Sequence, residues 1–152
     1  MSFANTSARR IIAASIVLML TACSTTSRLE GAAPGTTLAI KGIERIELPR
    51  TENLASKSTG NYEFMATAPD GKKVYGLLPL KVNGGTMAMS ILFFAPALFI
   101  GGFRDVFPFY QVDPEKSAIR YKMNESDAWN DYVPLAAEAK RAQDYFDTLK
   151  PR

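Results

Sequence analysis

The chain has 152 residues, 47% of them hydrophobic and 22% charged, with 18 basic and 15 acidic side chains, no histidine and one cysteine, Cys23. Without histidine, a Ser-His-Asp arrangement, imidazole acid/base catalysis and Cys/His metal sites are excluded, and a lone cysteine closes no disulfide within the chain. The lysines and arginines form no basic stripe, so no nucleic-acid partner is expected.

At the amino terminus Arg9 and Arg10 precede an apolar run over residues 11–20, and Leu20-Thr21-Ala22-Cys23 follows directly. A basic patch, a short apolar stretch and then small residues make an export signal. The run is too short to cross roughly 30 Å of hydrocarbon as a helix, so cleavage is expected instead of a permanent span. The tetrapeptide resembles the lipobox of bacterial lipoproteins, an apolar residue three places before a cysteine with small residues between. The resemblance implies a signal peptide over residues 1–22, a thioether-linked diacylglycerol on Cys23 and acylation of the new amino terminus. Ser24, where Asp is absent, resembles lipoproteins sorted to the outer membrane. The implied location is the envelope of a Gram-negative bacterium, on the outer membrane facing the periplasm. Each buried methylene adds about 0.8 kcal/mol, and two or more acyl chains make anchoring stable. Removing Arg9 and Arg10 with the signal leaves 16 basic against 15 acidic residues, a net of +1, so the basic pI near 9.0 says little about partners.

Residues 23–35 are rich in Ser, Thr, Ala, Gly and Pro and read as a lipidated flexible tether. Residues 36–152 then form one domain, with no internal repeat and no second linker. Leu38, Ile40, Ile43, Ile46 and Leu48 slip phase at Gly42, as one bulged strand or two short ones would. Tyr62, Phe64, Ala66 and Ala68 alternate into the turn Pro69-Asp70-Gly71-Lys72, and residues 74–82 return as the partner strand, with Pro79 at an edge or at the end of pairing. This hairpin region is loosely similar to the small β-rich domains of the PEGA type found in envelope lipoproteins; it lacks the motif that names the type, and no domain family is assigned.

Between Lys81 and Arg104 lie 22 uncharged residues, 82–103. As one helix they would rise about 33 Å, enough for a bilayer. Pro96 would kink that helix and Gly84-Gly85 and Gly101-Gly102 shorten its apolar part. A good transmembrane helix would also arrest a protein addressed to the outer membrane. The preferred reading is a helical segment or hairpin packed on the domain or on a second copy, ahead of one dipping into lipid or spanning it. Leu92, Phe93, Phe94, Leu98, Phe99 and Ile100 are its candidate membrane or partner contacts, while Met87 and Met89 read as gap-filling core.

Phe103, Phe107, Phe109 and Tyr110 read as a sheet face packing the core, with an interfacial belt as the other reading. Asp113-Pro114-Glu115-Lys116 suits a type I turn, and Ile119, Tyr121 and Met123 alternate after it as a second hairpin. From Pro134 onward Leu135, Ala139, Ala142, Phe146 and Leu149 fall at helical spacing, an amphipathic helix expected to cover a sheet, with Trp129 and Tyr132 packing where it starts. Asp105, Asp113 and Glu115 are close in sequence, but two of them flank a turn proline and read as solvated turn residues, not a catalytic pair.

The expected fold is α+β: a small, mostly antiparallel β domain of two hairpins, with an apolar helical segment or hairpin and a C-terminal amphipathic helix. The expected role is non-catalytic, a structural or assembly component of the envelope with no cofactor and no metal. Its expected partners are the membrane, through lipid on Cys23, and an envelope protein or a second copy. A periplasmic binding module for a small ligand or cell-wall polymer is the alternative.

Overall fold

The structure is a computed structural model, and it describes residues 24–84 and 103–149. The strands are β1 (Ser24–Gly31), β2 (Thr37–Ile40), β3 (Ile43–Glu47), β4 (Arg50–Ala55), β5 (Glu63–Thr67), β6 (Lys73–Leu77), β7 (Leu80–Val82), β8 (Arg104–Val106), β9 (Phe109–Asp113), β10 (Ala118–Lys122) and β11 (Asn130–Tyr132), and one helix, α1 (Ala136–Thr148), follows. A five-stranded sheet runs β11-β10-β9-β1-β4, a four-stranded sheet runs β3-β2-β5-β6, and β7 pairs with β8. Every pairing is antiparallel except β1 with β9. The fold is therefore the expected α+β one, mostly antiparallel strands with a carboxy-terminal helix.

The two sheets share one core. Leu29, Leu54, Tyr110, Val112 and Ile119 from the first meet Leu38, Ile40, Phe64, Ala66 and Val74 from the second in a single buried cluster. Phe64 and Ala66 face inward from β5, so Glu63, Met65 and Thr67 face outward by the two-residue period of a strand. The helix covers that outer side: Phe146 lies 6.4 Å from the Tyr75 ring, and Arg141 donates to the buried Glu63 carboxylate at 3.0 Å.

Both expected hairpins form. β5 and β6 join through residues 68–72, where Gly71 takes φ 86° and the Lys72 carbonyl accepts from the Ala68 N–H at 2.9 Å. β9 and β10 join through the Asp113-Pro114 turn, in which the Asp113 carboxylate accepts the Lys116 N–H at 3.1 Å. The phase slip at Gly42 resolves into two short strands, β2 and β3, around a turn in which Gly42 takes φ 86°. Pairing ends at Pro79, so the second half of the expected partner strand leaves β6 and joins β8 as β7. The helix buries Ala142 and Phe146, whereas Leu135 and Leu149, the ends of its apolar stripe, stay exposed. Pro134 sits just ahead of the helix and packs beside Gly76, leaving no room there for a Cβ.

The tether is corrected. Residues 24–31 form β1, which pairs with β4 along one side and with β9 along the other. Backbone hydrogen bonding on both edges does not depend on hydrophobic side chains, so a Ser/Thr-rich segment can fill the place. Its inward positions are nonetheless closed: Ser27 and Leu29 are fully buried, and Ser27 Oγ donates to the Phe107 carbonyl at 2.7 Å. Ser24, the residue after Cys23, is already in the sheet.

Candidate functional site

Chain topology brings two candidate regions of the sequence to one end of the sandwich. Ser24 opens β1 opposite Ala55, the last residue of β4. Two residues on, Lys57 and Arg104 form a bridge with reciprocal backbone hydrogen bonds of 2.8 and 3.1 Å. Arg104 pairs in turn with Val82, and the Asn83 N–H donates to the Phe103 carbonyl at 2.7 Å. With strands about 4.8 Å apart, Ser24, Lys57, Arg104 and Val82 lie across three spacings, on the order of 15 Å. The start of the domain and both stems of the apolar segment thus leave through the same end.

Side chains brace this end. Asp105 is buried, and its carboxylate accepts from Ser56 Oγ on one oxygen and from Asn83 Nδ2, at 2.9 Å, on the other. It therefore ties the exit of β4 to the exit of β7. Arg104 donates to the Asn61 side chain at 3.2 Å and to the Gly60 carbonyl, fixing the 56–62 loop over the stem. Tyr62 donates to the Ala55 carbonyl at 2.8 Å while Lys57 Nζ stands 4.2 Å from its ring centre; burial pushes the phenol above its ordinary range. Tyr110, fully buried, donates to the Pro79 carbonyl and accepts the Phe107 N–H at 2.9 Å. Its burial likewise raises it.

Next to Arg104 lies a cleft of about 250 Å³, lined by Asn61, Leu78, Leu80, Tyr121, Tyr132 and Glu138 among others. Tyr132 donates to Glu138, which also accepts the Leu135 N–H at 3.0 Å and so caps α1. Burial and that carboxylate together push the Tyr132 phenol up to about 12. A group so hard to deprotonate does not serve as a base near neutral pH; the pair is a hydrogen-bonding wall. The Trp129 ring stands 4.7 Å from Lys122 Nζ and 5.7 Å from the Arg120 guanidinium. The aromatic run divides: Tyr110 is core, and Phe107 packs against the core and 4.3 Å from the Tyr121 ring.

The three carboxylates are not brought together. Asp105 occupies the Ser24 end, whereas Asp113 and Glu115 belong to the turn at the far end of β9, where Lys116 pairs with Asp113 at 3.4 Å. Among the described residues no group of three acidic side chains is placed to hold a metal, and no helix is long and apolar enough to cross a membrane. Cys23, Leu92, Phe93, Phe94, Leu98, Phe99 and Ile100 lie outside the described residues, as do Met87 and Met89. Sequence reasoning missed Asp105 and Asn83 as a paired brace, because their proximity depends on β7 pairing with β8 across the apolar segment. Comparison with protein-family models, with curated proteins and with solved structures gives no match.

Proposed function

We propose that this chain is the precursor of a lipid-anchored envelope protein, held on the outer membrane through Cys23, with a non-catalytic structural or assembly role in which residues 82–103 contact membrane or a protein partner. The observation that carries this reading is Leu20-Thr21-Ala22-Cys23 directly after a short apolar run, the one cysteine of the chain standing where a lipobox needs it. Two further features support it. The stems of the apolar segment are paired and braced by Asp105, which suits a segment that bears on something outside the sandwich. At the far turn Asp113 is buried, not solvated as its turn position suggested, and its carboxylate is engaged locally by the Lys116 N–H at 3.1 Å and the Lys116 ammonium at 3.4 Å.

Fractionation of cells making the full chain tests it. Wild type should be in the outer-membrane fraction, and Cys23→Ala should be released on washing at high pH. If Cys23→Ala stays in the membrane pellet even when residues 1–22 are replaced by an ordinary cleaved export signal, the apolar segment and not the lipid is the anchor. A partner held by that segment should be lost from Phe94→Asp and Phe99→Asp variants that remain lipidated; unchanged co-purification would contradict the assembly role. The cleft beside Arg104 favours one second reading, a binding module. Two tyrosine rings with an amide, a guanidinium and a carboxylate suit a small polar ligand or a segment of cell-wall polymer, and binding of muropeptides that Tyr121→Ala abolishes would support it.

A further inference from the structure

We propose that the end of the sandwich formed by Ser24, Lys57, Lys81, Val82 and Met123 is a lipid-facing surface that rests on anionic headgroups and holds the domain in one fixed orientation on the bilayer. The proposal rests on lipidation of Cys23 and goes beyond it, because an anchor alone fixes no orientation.

The first ground is the missing spacer. A flexible tether of a dozen residues would let the domain turn freely, but Ser24 is itself hydrogen-bonded into β1 opposite Ala55. Neighbouring Cα atoms are about 3.8 Å apart, so acyl chains on Cys23 bring the Ser24 end to the headgroups. The second ground is where the chain outside the described residues attaches. Residues 85–102 carry no charge, and they leave after Gly84 and return before Phe103, at a stem that the Val82–Arg104 pairing closes. Three covalent connections therefore issue from one end, and two of them belong to the most apolar stretch of the mature chain. The third ground is the surface itself. Of five large hydrophobic side chains exposed among the described residues, Val82 at 59% and Met123 at 44% lie here, and Lys81 Nζ reaches Met123 Sδ at 3.6 Å. Lys57, Lys81 and the nearby Lys122 supply positive charge, Asp105 is turned inward on Ser56 and Asn83, and the exposed Glu125 beyond Met123 offsets one of the lysines. Apolar tips among lysines suit the boundary between headgroups and acyl chains. At the other end, β1 finishes about 23 Å away, where Ala32 and Lys116 are exposed.

Full-length protein, matured in a Gram-negative host, would be reconstituted in vesicles of phosphatidylethanolamine and phosphatidylglycerol containing a nitroxide lipid. Single variants Val82→Cys, Met123→Cys, Ala32→Cys and Lys116→Cys, all at surface positions, would carry a thiol-reactive fluorophore. The fluorophore should be quenched and blue-shifted at 82 and 123 and remain in a water-like state at 32 and 116. Replacing phosphatidylglycerol by a zwitterionic lipid, or introducing Lys57→Glu with Lys81→Glu, should weaken that contrast. Equal quenching at all four positions, or stronger quenching at 32 and 116, overturns the orientation while leaving the anchor intact. Cys23 is the one native cysteine, so labelling of the unsubstituted protein reveals a free thiol and overturns the anchor itself.

Discussion

The two ends of the sandwich are built on different rules. At the end holding residues 31–36 and 113–117, several contacts are local: Thr36 Oγ1 donates to the Ala33 carbonyl, the Ser117 N–H donates to the Pro114 carbonyl, and Lys116 pairs with Asp113 three residues away, while Lys72 Nζ reaches the Glu115 carbonyl from the neighbouring hairpin at 2.9 Å and the Leu48 N–H donates to the Thr36 carbonyl at 3.2 Å. At the Ser24 end, contacts join residues far apart in sequence: Ser56 with Asp105, Asn83 with Asp105, Arg104 with Asn61, and Tyr110 with Pro79. A contact within one turn can be altered with little effect on other strands, whereas side-chain bracing between distant segments couples several strands.

That contrast sets the size of the expected effects. Asp105→Ala leaves Ser56 and Asn83 facing each other without their shared acceptor, in a partly buried site. It should destabilise the domain by about 2–3 kcal/mol, read as a lower midpoint in urea unfolding of the detergent-solubilised protein. A loss under half of that would mean the brace is ornamental.

A smaller effect is expected at Glu63, where β5 meets α1. Burial alone would raise this carboxyl, but a backbone N–H and the Lys41 and Arg141 side chains outweigh it and hold it below the usual carboxylate range. A carboxyl depressed in the folded state stabilises above its unfolded pKa, and that stability is lost as pH falls through the folded value. Glu63→Gln should therefore flatten the acid limb of the stability profile below about pH 5 and leave the alkaline limb unchanged. An identical acid limb in the variant would remove Glu63 from the account. Tyr132 has the opposite sign: its raised phenol favours folding below about pH 10, and that contribution fades as pH climbs toward about 12.

The smallest effect belongs to the far end. Lys116 is 75% exposed, and an alanine there still offers its backbone N–H to Asp113, so Lys116→Ala should change stability by less than about 0.5 kcal/mol. A larger loss would erase the distinction between the ends.

How much of this was legible in the sequence follows the same division. Local signals read correctly: Pro69-Asp70-Gly71 and Asp113-Pro114 mark turns between alternating runs, and the spacing of Ala139, Ala142 and Phe146 marks α1. Strand β1 was not legible, because its Ser and Thr residues are held by backbone pairing on two sides and only Leu29 advertises burial. Nor was the meeting of Ser24, Lys57, Val82 and Arg104, four positions that only the strand order brings together. The resemblance to a lipobox rests on four adjacent residues and so reads from local sequence; the surface that the domain presents depends on strand pairing, which local sequence does not contain.

The most direct test of the central claim is the mass of the mature amino-terminal peptide, isolated from membranes of cells making the full chain. The account requires a peptide that begins at Cys23 and carries the added mass of a diacylglycerol and an amide-linked acyl chain. A peptide beginning elsewhere, or a Cys23 with a free thiol, would contradict lipid anchoring and with it the fixed orientation of the Ser24 end.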